Sequence, residues 1–155
     1  MAFEDLFENC IEYVEGLAKE ALKYERVTVS VGGNPTYVPN EFIVREIVQN
    51  PEFSDRVTSV CTLGKAQGAY RVEFNVGLEA WSTKTSLPVA SADVQRWALL
   101  LVKAVAADKT LGGLVIHAEP YVTSSGTAKD VDGRKYIASI DFGIHIKAEL
   151  DPAAN

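Results

Sequence analysis

Tyr136-Ile137-Ala138-Ser139-Ile140-Asp141-Phe142-Gly143-Ile144-His145-Ile146-Lys147-Ala148-Glu149-Leu150 is the stretch that decides the fold. Every even position from Tyr136 to Leu150 is apolar, while the odd positions include Ser139, Asp141, His145, Lys147 and Glu149. A period of two sends alternate side chains to opposite faces of a strand, so one face lies on a core and the other meets water or a partner. At roughly 3.4 Å per residue such a strand spans about 50 Å, against about 17–20 Å for an ordinary one. That length requires a bend, for which Gly143 is the candidate, or a projection beyond the domain.

The same alternation recurs upstream at Tyr70, Val72, Phe74, Val76, Leu78 and Ala80, with Arg71, Glu73, Asn75 and Glu79 between them. Preceded by a strand from Arg56 to Leu63 and the turn Gly64-Lys65-Ala66-Gln67-Gly68, it predicts a hairpin. Ile116 to Thr123 alternates again, and Ser124 to Arg134 then reads as a polar connection much longer than a hairpin needs, hence a mobile one. Arg26 to Val31 predicts a short strand closed by the turn Gly32-Gly33-Asn34-Pro35. Asn40 to Gln49 is expected to form a short helix, capped by Asn40 and stopped by Asn50-Pro51, although its Ile and Val residues suit a strand equally.

Two longer helices complete the pattern. Phe3, Leu6, Phe7, Cys10, Val14, Leu17, Ala18 and Ala21 recur at three-and-four spacing, with acidic residues early and Lys19 and Lys23 late, as the helix dipole favours. Ser91 is expected to cap a second helix reaching about Asp108, apolar nearly all round through Trp97-Ala98-Leu99-Leu100-Leu101-Val102. Such a helix must be covered on more than one side, so either it crosses the middle of the sheet or a second subunit covers its back. The sum is an α+β fold, a mostly antiparallel curved sheet packed by an N-terminal helix and a central apolar helix. One domain over residues 3–150 suffices, with 151–155 a frayed tail.

Composition narrows the function classes. The chain has 155 residues and a formal net charge of -6, which disfavours a non-specific hold on phosphate backbones or anionic lipid. No run approaches the roughly 18 apolar residues of a membrane span. Met1-Ala2-Phe3-Glu4-Asp5 has neither the basic nor the apolar region of a signal peptide, so a cytosolic, reducing setting is expected. Cys10 and Cys61 both sit in apolar patterns and read as core residues.

Arrangements that carry chemistry are missing from the sequence. His117 and His145 each lie on the polar parity of a strand, with no cysteine or carboxylate at a zinc-site spacing. Gly64-Lys65-Ala66-Gln67-Gly68 lacks the Gly-Lys-Ser/Thr ending of a phosphate loop. Asp130-Val131-Asp132-Gly133 opens like a calcium loop, but its closing carboxylate would fall near Asp141, inside a strand. No Gly-x-Ser-x-Gly elbow is present, and neither cysteine has the electropositive surroundings of a nucleophile. The expectation is a protein without catalytic, cofactor or metal sites, working through its surfaces.

One segment carries a resemblance. Ala107-Asp108-Lys109-Thr110-Leu111-Gly112-Gly113-Leu114-Val115, together with the order helix, strands, long hairpin, apolar helix, glycine break and terminal strand pair, resembles the tail terminator, or tail-completion, proteins of long-tailed bacteriophages. In that family a helix commonly runs into Asp-Pro-Thr-Leu-Gly-Gly-Leu; here Lys109 replaces the common proline. The physical content of the motif is a helix stop, with Gly112 or Gly113 free to adopt φ > 0.

The resemblance implies a homo-oligomeric, hexameric ring that caps the finished tail tube, ends its polymerisation and joins it to the head. It implies as partners the chain itself, the tail-tube protein and a head or neck connector, in a virion assembled in the host cytoplasm. No nucleic-acid sequence recognition, membrane or cofactor enters. The residues expected at a subunit interface are Trp97, Leu101, Gly112 and Gly113, and those expected to contact the tube or another partner are Lys65, Lys129, Arg134 and Lys135. Three other readings compete: a different neck or tail-tube subunit, a monomeric ligand-binding module with a pocket lined by Trp81, Trp97 or Tyr121, and an enzyme of unlisted type.

Overall fold

A computed structural model describes residues 3–32, 40–55, 70–129 and 135–150. The three-and-four spacing near the start makes α1 (Phe3–Ala21), which buries Leu6, Cys10, Val14 and Ala18 and turns Asp5, Glu8 and Glu12 outward. The apolar middle makes α2 (Leu87–Ala107), which begins a turn earlier than expected. Ser86 is its N-cap residue and Pro88 stands in its first turn, where a missing N–H breaks no helical bond, so Ser91 lies inside the helix.

The described residues form six strands, β1 (Thr28–Val31), β2 (Asn40–Val44), β3 (Gln49–Asp55), β4 (Tyr70–Lys84), β5 (His117–Lys129) and β6 (Tyr136–Leu150). They form one sheet in the order β1-β2-β4-β6-β5, with β3 paired to β4 on the same side as β2. Among the described residues only β1 and β2 run parallel, and every other pair is antiparallel. The fold is α+β, as the alternating and helical periods together require.

The sheet is organised by β4 and β6. They pair without a register break from Tyr70 opposite Leu150 to Lys84 opposite Tyr136. On their even positions, Val72, Phe74, Val76, Ile144 and Ile146 are fully buried and form the core with both helices. α2 crosses β4, β6 and β5, while α1 lies beside it over β1 and β2. The great length of β6 is thus met by a partner of equal length, and β6 stays continuous through Gly143.

Two expectations are corrected here. Asn40–Gln49 is not helical: Asn40–Val44 is a strand between β1 and β4, and Gln49 opens β3. Its Glu41, Phe42, Ile43 and Val44 are buried on both faces, and a strand covered on both sides loses the alternation that would have identified it. Ser124 to Lys129 is not a loop, because β5 continues to Lys129 opposite Tyr136, and the rest of the expected connection, residues 130–134, lies outside the described residues. A β-bulge between Val122 and Ser124 shifts the register there and erases the period of two. β4 takes its partners from β2, β3 and β6; the strand expected over residues 56–63, Cys61 and the following turn lie outside the described residues.

Candidate assembly surfaces

The segment joining α2 to β5 is a locked turn. Asp108, the C-cap residue of α2, accepts a hydrogen bond from the Tyr13 hydroxyl of α1 and another from the Gly112 N–H at 2.9 Å. Gly113 N–H donates to Thr110 Oγ1 at 3.2 Å, Val115 N–H to Thr110 O at 3.1 Å and Ala118 N–H to Lys109 O at 2.8 Å. Three successive residues take positive φ: Leu111 at 48°, Gly112 at 68° and Gly113 at 91°. Leu111 is held in that unfavourable region by complete burial of its side chain.

The two glycines differ in kind. A Cβ on Gly112 would lie 2.9 Å from the Tyr13 ring, whereas one on Gly113 would meet nothing. The Tyr13 hydroxyl holds the Asp108 carboxyl below its usual range, helped by the Gly112 N–H, and the same bond pushes the Tyr13 phenol up. Tyr13 and Asp108 stand 95 residues apart in sequence, and no periodicity signals such a pair.

The residues expected at a subunit interface divide accordingly. Trp97 and Leu101 are 2% and 1% exposed, inside the chain's own core, and Trp97 Nε1 donates to Glu25 Oε1 at 3.2 Å. They are corrected here from interface to core, because α1 and the sheet already cover the face of α2 that carries them. Gly112 packs on Tyr13, while Gly113 is exposed.

Of the expected partner contacts, Lys65 and Arg134 lie outside the described residues, and Lys135 is exposed. The backbone of Lys129 pairs with Tyr136, whose other neighbour is Lys84. One end of the sheet therefore gathers Lys84, Lys129 and Lys135.

The sheet's second face carries no helix of the described residues. Its odd-numbered rungs are mostly polar: Arg71 with Glu149 at 3.9 Å, Glu73 with Lys147 at 3.5 Å, and His145 Nδ1 with Asn75 Oδ1 at 2.7 Å. Next come Gly77 opposite Gly143 and Glu79 opposite Asp141. Arg45 Nη2 donates to Glu79 Oε1 at 2.6 Å, yet burial, aided by Asp141, pushes the Glu79 carboxyl up against that pairing. Glu41 Oε2, Arg45 Nε and Trp81 Nε1 are buried near these residues without a protein partner.

A shallow cleft of about 450 Å³ opens among Asn75, Glu119, Pro120, Tyr121 and His145. Of the aromatic residues named as alternatives for a pocket, Tyr121 lines this cleft, while Trp97 is buried in the core on the other side of the sheet. Both histidines lie on this face, and among the described residues no group of three His, Cys, Asp or Glu is placed to hold a metal ion.

The outer edge of β5, beside which no strand of the described residues lies, was not foreseen from sequence. On the face toward the helices, the row that is buried in β4 and β6 ends here in Val122, 65% exposed, with Ile116, 49% exposed, just ahead of the strand. α2 does not extend far enough to cover them. Pro120 and the bulge after Val122 interrupt the regular hydrogen-bonding pattern of this edge.

No protein-family model matches the chain, and no curated protein matches it. Among the described residues no helix is long and apolar enough to cross a membrane.

Proposed function

We propose that this chain is a non-catalytic subunit of a phage tail, forming a hexameric ring that caps the tail tube, ends its growth and joins it to the head. The observation that carries the reading is the setting of the segment Ala107 to Val115. The residues on which the resemblance rests form one interlocked turn that passes the chain from α2 into the β5–β6 pair and ties it to α1 through Tyr13 and Asp108. A strand edge with exposed apolar side chains and a sheet face without a helix of the described residues would give such a subunit surfaces for neighbours. The lysine-bearing end of the β5–β6 hairpin, with Lys129 and Lys135, is the contact assigned to the tube or the connector.

The test is electron microscopy of tail tubes polymerised with and without the purified chain. The expected result is a ring at one end of tubes of uniform length, and overlong tubes in its absence. Tubes built from the chain itself would make it a tube subunit instead, and tubes whose ends and lengths ignore the chain would end the tail reading.

A further inference from the structure

Two acids face each other near the middle of the central ladder, where Glu79 of β4 stands opposite Asp141 of β6. Side chains directly opposite in a sheet lie about 4.5–5.5 Å apart at Cβ, so like charges there repel. The other charged rungs of this face obey that rule, Arg71 meeting Glu149 and Glu73 meeting Lys147. Glu79 and Asp141 break it, and their side chains are hydrogen-bonded to each other. An ionised carboxylate can only accept, so a bond between two carboxyls needs a proton on one of them.

The setting of Glu79 favours keeping that proton. Its side chain is 16% exposed. Buried Ile43 stands opposite it on β2, and its neighbours on the same face of β4 are Gly77 and Trp81, neither of them charged. From β2 and the chain just after it come two more acids: Glu41, 2% exposed, whose Oε1 accepts from Ser30 Oγ at 2.6 Å, and Glu46, which lines the same cleft as Glu79. Arg45 is the one cation facing Glu79 among the described residues, and its side chain is 43% exposed, so water screens it. On β6, Ser139 and Gly143 flank Asp141, and His145, bonded to Asn75, stands beyond the glycine rung. β5 sets Ser124 opposite Asp141 and Tyr121 opposite Gly143.

We propose that Glu79 and Asp141 share one proton across the β4–β6 ladder, and that this proton is a pH-sensitive clasp on the helix-free face. While it is held, Glu79 donates to Asp141 and accepts from Arg45, which joins β6, β4 and the end of β2 in one line. As pH rises the proton passes to water, the bond between the carboxyls is lost, and the pair carries a second negative charge. The two side chains then separate and Glu79 is left to Arg45 alone. β4 and β6 loosen there, beside the Gly77–Gly143 rung, which has no side-chain pair to hold it.

The clasp therefore weakens with rising pH. Glu79 holds its proton more firmly in the folded chain than in the unfolded one. Its contribution is full below the ordinary glutamate value of about 4.3 and is lost as pH climbs through the raised folded value. This concerns the chain alone and stands apart from the tail reading.

The test is carboxyl NMR of the isotope-labelled full chain, titrated from acid to alkaline pH. The Glu79 carboxyl carbon should move above the ordinary glutamate value, and the Asp141 carboxyl carbon should report the same step, as two groups on one proton do. Glu79→Gln should abolish that step at Asp141. Amide hydrogen exchange gives a second readout. Against Glu79→Gln at the same pH, the parent should lose protection over residues 77–81 and 139–143 once the step is crossed, and not before. A Glu79 carboxyl that titrates at the ordinary value, or an Asp141 carbon blind to the Glu79 step, would show that no proton is shared. Equal protection of parent and variant on both sides of the step would leave no clasp. Should Glu79→Gln not fold, Asp141→Asn takes its place: the Glu79 step should then move down toward the ordinary value, and a step that stays where it was would overturn the proposal.

Discussion

Gly77 and Gly143 face each other at the middle of the β4–β6 ladder, yet alanine should be tolerated at one and not at the other. A Cβ on Gly143 would lie 2.6 Å from the Tyr121 hydroxyl oxygen, 2.8 Å from its Cζ and 2.8 Å from the Val76 carbonyl oxygen. The tyrosine can swing away, but the carbonyl belongs to the central ladder and cannot. On Gly77 the nearest atoms are Arg45 Cγ at 2.8 Å and Gln49 Nε2 at 2.9 Å, both on flexible side chains. Neither glycine has a left-handed backbone, so alanine gains about 0.5–1 kcal/mol at each from strand preference.

Overpacking costs about 1–3 kcal/mol where the surroundings are rigid. Gly143→Ala should therefore lose about 1–2 kcal/mol net, which lowers Tm by about 2–8 °C in a chain of this size. Gly77→Ala should lie near zero. Urea titration and thermal melts of both variants read this directly, and Tyr121→Ser in the Gly143→Ala background should recover only part of the loss. If Gly77→Ala proves the costlier substitution, or Gly143→Ala is neutral, the contrast between backbone and side-chain neighbours is wrong.

Further predictions follow from the buried groups and the turn. Burial pushes the Cys10 thiol up to about 12, so a thiol reagent at pH 8 should leave Cys10 unlabelled in the native chain and label it on unfolding, as peptide mass mapping would report. Asp93, 7% exposed, accepts from the Ser82 hydroxyl at 3.0 Å and from Arg96 at 2.8 Å; Asp93→Ala should cost about 1–3 kcal/mol by chemical denaturation, and Asp93→Asn less, because its amide oxygen still accepts from Ser82.

The Tyr13–Asp108 bond links stability to pH at both extremes. The lowered Asp108 contributes stability that is present above the ordinary carboxylate value of about 3.9 and lost as pH falls through its lower folded value. The raised Tyr13 contributes stability that is full below about 10 and lost as pH rises through its higher folded value. Tyr13→Phe should flatten a pH–Tm profile at the alkaline end and diminish the acid slope, since Gly112 still donates to Asp108; an unchanged profile would refute the link.

Much of this was legible in residues that see one environment on each side. β4 and β6 alternate cleanly because one face is core and the other polar, and α1 shows its stripe for the same reason. The strand Asn40–Val44 was misread as a helix because Glu41 and Ile43 are buried opposite Phe42 and Val44, which removes the polar half of the signal. The end of β5 reads as a loop in the sequence because the register shifts between Val122 and Ser124, which breaks the period of two. Trp97 and Leu101 were placed at an interface because an all-apolar helix does not say which element covers it. The Tyr13–Asp108 bond and the exposed step at Val122 arise from where the helices end on the sheet, which depends on tertiary placement alone.

The β4–β6 ladder also governs the order in which the chain can fold. Even its nearest rung joins residues 52 positions apart, Lys84 and Tyr136, and its farthest joins Tyr70 and Leu150, 80 apart. Contacts of such sequence separation close slowly, because chain entropy is lost before pairing compensates. α2 and the β5–β6 hairpin can form from local contacts, so zipping β4 against β6 is the expected rate-limiting event. Until residues 136–150 have been synthesised, β4 presents one whole edge with no strand beside it. That interval is when the chain is most open to pairing with the wrong partner, and a chaperone that shields β4 would act there.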